Sequence, residues 1–511
     1  MNFNKLISPI AISCLAITGG CMNSKDDQQG DKLREGQKPN IIWLMAEDMA
    51  LDLECYSARG VSTPNLNKLA NQGIKYNNCY SVNPISSPNR SAMMTGMHQN
   101  MIDAQHHRSN RENPLPEPYF PITYYLRKAG YTCILGHDEV FHRGQKIDCN
   151  FRHDKTGKWD GENHFGLFDK LGGFTREDQP FFHQITLYTS HRGGWWNRIR
   201  EESPNPVNPD EIVLPPSISN DSVPRPDWGR YVDQIESTDN EVGMIMEELK
   251  EKGLEDNTVV IFIGDNGRCN IRGKGYLYDP GLHVPLIVRW PAGIKGGKVS
   301  DRLVSVTDIS ASILDLAGVK LPDYMHSIPF IGKKNPEERK YVYSARDLWD
   351  EVLEKSRSII TSRYHYIKHY KPEVSFDAHQ AYLEFYRPAV HVSRKLKKQN
   401  KLTGLQAPFL ADPNPDEELY DKINDPYETT NLATNPAYQE ELDKLKSYMK
   451  EWQQKHHDYG LDPIDWDRIS HPISVDVLEW VKNERPEVYR QMQSGKEINF
   501  SKMARAYREA K

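Results

Sequence analysis

The stretch NIIWLMAED, at residues 40–48, decides the fold class of this chain. It is apolar from residue 41 to residue 46 and then stops at two acids, Glu47 and Asp48. A strand without polar alternation is buried on both faces, which is typical of a parallel sheet covered by helices. We therefore predict an α/β fold in which both acids follow the carboxyl end of the first strand.

Comparable apolar runs recur along the chain and alternate with helical patterns. Residues 131–135, 181–188 and 258–263 are predicted strands, and the last of them is soon followed by Asp265 and Asn266. This alternation predicts a sandwich with a mainly parallel central sheet. Because functional groups collect beyond the carboxyl ends of such strands, we expect these acids to share one site with the first pair.

Composition excludes several classes of protein. The chain has 511 residues, of which 38% are hydrophobic, and this rules out disorder as the main state. A formal net charge of -6 argues against a nucleic-acid partner. The mean hydropathy of -0.72 excludes a polytopic membrane protein.

The N-terminus predicts export. Lys5 precedes an apolar stretch at 6–17, and small residues then lead to Cys21. This pattern is similar to a bacterial lipoprotein signal, with Cys21 as the lipidated residue; an ordinary secretory signal is the alternative. We expect a periplasmic, outer-membrane or cell-surface lipoprotein that is held at the membrane by an N-terminal lipid anchor.

Shifts in composition divide the chain into five predicted regions. These are a signal peptide (1–20), a flexible tether (21–38), a catalytic domain (39–330), a C-terminal α+β subdomain with a small antiparallel sheet (331–460) and a helical extension (461–511).

The segment SSPNR, at residues 86–90, carries the chemistry. Pro88 is suited to the first turn of a helix, with Ser87 as its N-cap and Ser86 just outside. Free N–H groups at a helix N-terminus favour an anion there, and Arg90 lies one turn further on. A capped surface helix is an equally good interpretation of this segment alone.

With the Thr-Gly pair at 95–96, the segment resembles the signature of the type I sulfatases, Cys/Ser-x-Pro-x-Arg followed by Thr-Gly. Asn89 stands where Ser is usual. The resemblance implies an alkaline-phosphatase-like fold and oxidation of Ser86 to formylglycine (3-oxoalanine) by a Ser-type formylglycine-generating maturation enzyme. Arg90 would hold the modified side chain in place.

Formylglycine explains why a plain serine would not suffice. Its hydrate is a geminal diol, of which one hydroxyl attacks sulfur and the other expels sulfate as the aldehyde re-forms. An unmodified serine would remain as a stable sulfate ester.

The resemblance also implies a metal site. In the family, an Asp-Asp pair after the first strand and a later Asp-Asn-Gly bind the ion. Here Asp265 and Asn266 match, and Glu47 replaces the first Asp before Asp48. With Ser86 these are hard oxygen ligands, which suit Ca2+ rather than zinc.

Other catalytic residues are carried over from the same resemblance. Lys274 would contact sulfate as a point charge, and His191 would protonate the leaving group. Many members have Gly-Lys-x-His where this chain has His137 and Glu139, so that His137 would replace the Lys. His142 could compensate for the missing histidine. Each of these residues could instead be structural.

Several residues suggest a glycan substrate, because aromatic faces stack on sugars and arginines bind acidic groups. The layout is closest to the sulfamidase-like (heparan N-sulfatase) branch, which implies a glycosaminoglycan sugar with a sulfate ester or sulfamate. The candidate substrate-binding residues are His106, His107, Arg108, Arg192, Trp195, Arg346 and Asp347.

Two other functions stay open at this point. One is a phosphatase or phosphonate hydrolase that uses unmodified Ser86, although the sequence lacks the second His-rich metal cluster common in that group. The other is a non-catalytic glycan-binding lipoprotein descended from a sulfatase.

Overall fold

The computed structural model describes residues 38–378 and 380–511. The predicted signal peptide, Cys21 and the tether as far as residue 37 lie outside the described residues. In the described part, none of the helices has the length and apolar character that a bilayer crossing requires.

Strands and helices alternate through the first two thirds of the chain. The strands are β1 (Asn40–Ala46), β2 (Ile74–Tyr80), β3 (Thr132–Leu135), β4 (Asp154–Thr156), β5 (Gly166–Phe168), β6 (Lys170–Leu171), β7 (Phe181–Leu187), β8 (Thr258–Gly264), β9 (Leu286–Arg289), β10 (Lys298–Ser305), β11 (Val342–Trp349), β12 (Val352–Ile360), β13 (Tyr364–His369) and β14 (Glu417–Asp421). The helices are α1 (Pro64–Gln72), α2 (Ser86–Thr95), α3 (Ile122–Lys128), α4 (Trp195–Glu202), α5 (Pro224–Glu251), α6 (Asp279–Leu282), α7 (Val306–Leu316), α8 (Ala381–Tyr386), α9 (Pro388–Lys398), α10 (Gln439–Lys455), α11 (Ile473–Glu484), α12 (Pro486–Gln493) and α13 (Phe500–Ala510).

The large sheet has eight strands in the order β10-β2-β9-β8-β1-β7-β3-β6. Strand β1 lies inside it and pairs in parallel with both β7 and β8. Strand β9 is antiparallel to its two neighbours. The predicted α/β sandwich with a mainly parallel central sheet is therefore confirmed.

The side chains of β1 explain its unbroken apolar sequence. Ile41, Trp43 and Met45 enter one hydrophobic cluster, whereas Ile42 and Leu44 enter the cluster on the opposite face. Both faces of this strand are covered, so polar alternation would bury unpaired polar groups.

Backbone hydrogen bonds hold the ends of these central strands together. The Glu47 N–H donates to the Leu187 carbonyl at 3.1 Å, and the Asp265 N–H donates to the Ala46 carbonyl at 2.8 Å. Asp48 then turns the chain with a φ of 50°. As a result, the residues that follow β1, β7 and β8 meet at one edge of the sheet.

A second sheet of four antiparallel strands, in the order β11-β12-β13-β14, forms the predicted smaller subdomain. Helix α10 packs on it through Leu442, Leu445 and Met449. Helices α11 to α13 share a separate hydrophobic cluster with α8. An ion pair of 3.0 Å between Arg230 and Glu497 also joins the C-terminal segment to α5.

A buried histidine in the large sheet predicts loss of stability in acid. His183 lies on β7 and its ring donates to the Gly136 carbonyl at 2.5 Å. Burial lowers the pKa of His183 from 6.5 to about 4. As pH falls, His183 is therefore protonated in the unfolded chain before it is protonated in the folded one. The stability contributed by the neutral ring is complete above pH 6.5 and is lost as pH falls towards 4.

At 1.36 kcal/mol per pKa unit, the free energy of unfolding should fall by about 3 kcal/mol from this residue. Replacement of His183 by Asn keeps an N–H donor and should flatten the pH dependence, as measured by urea unfolding between pH 7 and pH 4. The exposed His457→Asn variant is the control and should keep the wild-type slope. Parallel slopes for all three proteins would contradict the prediction.

Candidate active site

Ser86 is the first residue of α2 and is 2% exposed. The helix begins two residues earlier than predicted, because the Ile85 carbonyl already accepts from the Asn89 N–H at 3.2 Å. Ser87 is not the N-cap, and its hydroxyl accepts from the Arg108 N–H at 2.9 Å. The predicted proximity of Ser86 to a helix N-terminus is confirmed, but the capping scheme is wrong.

Three side chains from distant parts of the sequence converge at Ser86. Its hydroxyl donates to the Asn266 side-chain oxygen at 2.9 Å, and the Lys274 ammonium donates to that hydroxyl at 3.3 Å. Lys274 also contacts Asp48 at 2.6 Å, and the Asn266 amide donates to the same Asp48 oxygen at 3.0 Å. The structure thus brings together residues that lie up to 226 positions apart in sequence.

Arg90 lies on the other side of this cluster and joins two acids. Its Nε donates to Asp265 at 3.0 Å, and another guanidinium nitrogen forms an ion pair with Glu47. Lys146 reaches the second Glu47 oxygen at 2.5 Å. All of these side chains except Lys146 are almost fully buried.

The buried charges shift the pKa values of the acids in opposite directions. Burial raises the pKa of Asp265 to about 7, and the neighbouring Glu47 charge adds to this despite Arg90. Although burial also acts on Glu47, Arg90 and Lys146 together hold its pKa well below the usual range. Asp48 behaves like Glu47, because Lys274 lowers its pKa against the effect of burial.

Some of the expected ligands are placed so that they suit a hard divalent cation. One Asp48 oxygen is buried without a hydrogen-bond partner in the described chain, and Asp48 and Asp265 lie next to each other, since the Asp48 N–H donates to an Asp265 side-chain oxygen at 3.0 Å. Carboxylate and amide oxygens are the donors that Ca2+ prefers.

These acids do not form a complete coordination shell for a metal ion. Within the described residues, no three acidic, histidine or cysteine side chains are grouped as metal ligands. Instead, Arg90 and Lys146 contact both Glu47 oxygens, and Lys274 contacts one Asp48 oxygen. The role of Glu47 as a ligand stays a prediction.

His191 follows β7, as predicted, and lies beside the acids. Its Nε2 is 3.9 Å from a Glu47 oxygen, and its ring stacks on Tyr188 with centroids 4.9 Å apart. Burial and the Lys274 charge lower the pKa of His191 to about 3. The ring is therefore neutral at pH 7 and can donate through an N–H.

His137 does not reach this cluster, which corrects the sequence prediction. Its Nε2 contacts Glu248 of α5 at 2.6 Å, and its Nδ1 accepts from the Glu139 N–H at 3.3 Å. Gly136, with a φ of 81°, turns the chain, and the ring then packs against the helix. The His137 side chain therefore has a structural role, and Glu139 lies at the surface.

Two of the predicted substrate-binding residues line a cavity next to the cluster. Arg108 and Trp195 border a space of about 610 Å3, together with Lys146, Tyr188 and His142. His142 thus lines the cavity, and its role as a substitute for the missing histidine stays a prediction.

The other predicted substrate-binding residues are engaged elsewhere in the structure. Most of them are buried and form ion pairs or hydrogen bonds with other residues of the chain. The contacts are Arg192 with Asp227, Arg346 with Glu354, Asp347 with Arg357 and Asn100, His107 with Asp350, and His106 with the Leu348 N–H. We therefore withdraw Arg192, Arg346 and Asp347 as direct contacts to a sugar.

Sequence reasoning missed two residues of the cluster. Lys146 has no motif around it, and only its contacts with Glu47 and Asp148 show its place. Asn89 was noted only as a departure from the usual Ser. Its amide nitrogen donates to the Asp265 carbonyl at 2.5 Å and its oxygen accepts from the Val82 N–H at 3.0 Å. It therefore ties α2 to the acidic loop.

The comparisons with known proteins agree with this geometry. Residues 39–319 match the family model described as Sulfatase. The chain belongs to the sulfatase family. A second model, described as N-sulphoglucosamine sulphohydrolase, C-terminal, matches residues 267–380.

Relatives of this sulfatase cover most of its length. An "Ulvan-active sulfatase" from Formosa agariphila is 29% identical, over 88% of this chain and 81% of its own. The N-sulphoglucosamine sulphohydrolase of Homo sapiens is 25% identical over 82% of this chain and 90% of its own length. A solved structure named "BT4656 in complex with its substrate D-Glucosamine-2-N, 6-O-disulfate" has a TM-score of 0.57 at 17% identity. The match covers 84% of this chain and 100% of that one. This last likeness confirms the fold.

Removal of the Lys146 charge should slow this sulfatase. In Lys146→Ala, Glu47 keeps Arg90 but loses a 2.5 Å contact, so the acidic cluster becomes more negative and repels sulfate. We expect kcat/KM to fall about 10- to 100-fold, in line with the loss of one electrostatic contact near a reacting group. The Lys146→Arg variant keeps the charge and should recover most of the activity. Equal losses in both variants would contradict this role.

Proposed function

We propose that this sulfatase removes sulfate from a sulfated glycan, with Ser86 as the site of the nucleophile after oxidation to formylglycine. The observation that carries the proposal is the position of the Ser86 hydroxyl. It lies at the first turn of α2, within hydrogen-bond distance of both Asn266 and Lys274. A side chain there meets positive charge and helix N–H groups, which favour a bound sulfate.

This proposal assigns a role to each of the main side chains of the cluster. Lys274 supplies a fixed positive charge beside the reacting oxygen, and Asp48 holds that ammonium in place at 2.6 Å. Arg90 fixes Asp265 and Glu47 relative to α2. The neutral ring of His191 offers an N–H to the leaving-group oxygen from the end of β7.

We further propose Ca2+ as the cofactor. Asp48, Asp265 and Asn266 would hold it, with Glu47 as a ligand if Arg90 or Lys146 gives way. When bound, the ion would offset the negative charge of the sulfate, while formylglycine would supply a hydroxyl nucleophile. The Ser-type maturation enzyme that installs the aldehyde is part of this proposal.

The relatives support a glycan as the substrate class. The names of two relatives refer to ulvan and N-sulphoglucosamine, and the solved complex contains a disulfated glucosamine. The cavity beside Ser86, with Trp195 and Arg108 on its walls, has room for sugar rings. Export through the N-terminal signal, with a lipid on Cys21, would place the enzyme where such polysaccharides occur.

Mass spectrometry tests the nucleophile. The peptide that contains Ser86, from protein made with the maturation enzyme, should be lighter by two hydrogen atoms, and its hydrazine adduct should confirm an aldehyde. The same preparation should release sulfate from defined sulfated oligosaccharides. Full activity with an unmodified serine would refute the formylglycine proposal, and modified protein without any sulfate release would refute the glycan substrate.

A further inference from the structure

The cavity of about 610 Å3 beside the site has walls of different chemistry. One wall is basic and contains Arg108, Arg111 and Lys155. The other is aromatic, where Tyr188 and Trp195 have ring centroids 5.2 Å apart. A sugar ring can lie against the aromatic wall while acidic substituents face the basic wall.

The basic wall carries more positive charge than its own acid can neutralise. Among the described residues that line the cavity, Asp148 is the single carboxylate. It already forms ion pairs with Arg111, with Arg108 at 3.4 Å and with Lys146 at 3.3 Å. Lys155 lies on the exposed strand β4 and forms no ion pair with a described residue. This wall therefore has free capacity for an anion.

The cavity adjoins the Ser86 cluster through two residues of its lining. Lys146 spans both, since its ammonium is 2.5 Å from Glu47 and 3.3 Å from Asp148. Arg108 donates its N–H to Ser87, the direct neighbour of Ser86. A substrate whose reacting sulfate lies at Ser86 would thus place its remaining groups in this cavity.

We propose that Arg111 and Lys155, with Arg108, bind a second anionic group of the substrate, a sulfate or a carboxylate. This inference rests on the proposed function and narrows it to sugars that carry at least two acidic groups. The arginine fork suits a planar or tetrahedral oxyanion, and Lys155 adds a mobile point charge.

Binding to the inactive Ser86→Ala protein tests this without turnover. Calorimetry would compare D-glucosamine 2-N,6-O-disulfate with D-glucosamine 6-sulfate, and a monosulfated disaccharide containing a uronate would separate carboxylate from sulfate recognition. We expect the two dianionic probes, or one of them, to bind about tenfold more tightly than the monosulfate. A second substitution, Lys155→Gln, should remove most of that difference, and adding Arg111→Gln should remove the rest.

Lys320→Gln is the matched control, because this lysine is 90% exposed and lies outside the cavity lining. It should leave all affinities unchanged. Equal affinity for mono- and dianionic probes, no binding of any probe, or an equal loss for all probes in Lys155→Gln would overturn the inference. A failure of the proposed function would look different, because wild-type protein would then release no sulfate whatever the binding preference of the Ser86→Ala protein.

Discussion

Replacement of Ser86 by alanine should abolish sulfate release, with a fall in kcat of at least ~10³-fold. The variant has no oxygen that can be oxidised or can attack sulfur. The side chain is small and buried, so the fold should survive the loss of its hydrogen bonds with Asn266 and Lys274. Sulfate release by ion chromatography and thermal unfolding would be measured on the same preparation.

Ser91 offers a matched control in the same helix. Its hydroxyl donates to the Ser87 carbonyl at 2.7 Å and accepts from the Asn150 N–H at 2.8 Å, away from the acids. The Ser91→Ala protein should therefore keep most of its turnover with a modest loss of stability. Measurable turnover in purified Ser86→Ala, well above background hydrolysis, would contradict a nucleophile at this position.

Asp48→Asn should cause the second large loss, about 10²- to 10⁴-fold in kcat/KM. The substitution preserves shape but removes one of the negative charges that favour a divalent cation, and it replaces the carboxylate that Lys274 contacts at 2.6 Å with a neutral amide. A readout other than activity is the shift of the unfolding temperature with Ca2+. Saturation a hundredfold above Kd stabilises a protein by about 2.7 kcal/mol, so wild-type protein should gain measurably.

Asp52→Asn controls for a generic loss of negative charge. Asp52 lies four residues further along and pairs with Arg268 at 2.9 Å rather than with the cluster. This variant should keep both the activity and the Ca2+-dependent shift. A full shift in Asp48→Asn would show that the ion binds elsewhere, and no shift in wild-type protein would exclude the calcium site.

The sequence alone was sufficient for the fold class, and the reason is local. The run at 40–46 has no polar alternation and is short, which is typical of a strand covered on both faces. Its position before two acids also predicted the edge of the sheet where Ser86, Asp265 and Lys274 converge. Motifs with a fixed order along the chain thus identified most of the cluster.

Spatial neighbours without sequence motifs could not be predicted. Lys146 reaches Glu47 across 99 positions, and nothing in its own segment distinguishes it from a solvated lysine. The prediction for His137 was wrong for the opposite reason. This residue stands at a motif position, but the turn at Gly136 directs its side chain to Glu248. The direction of a side chain depends on backbone dihedral angles that the motif does not encode.

For this protein, the order of apolar runs, acids and the SSPNR segment indicated the sheet, the edge at which Ser86 lies and the proposed position of the nucleophile. Only the tertiary structure decided which charges pair there and which residues line the cavity, because ion pairs form between side chains that folding brings within a few ångströms. Arg108 and Arg346 illustrate this, since both were proposed to bind sugars. One lines the cavity, whereas the other is buried against Glu354 within the small sheet.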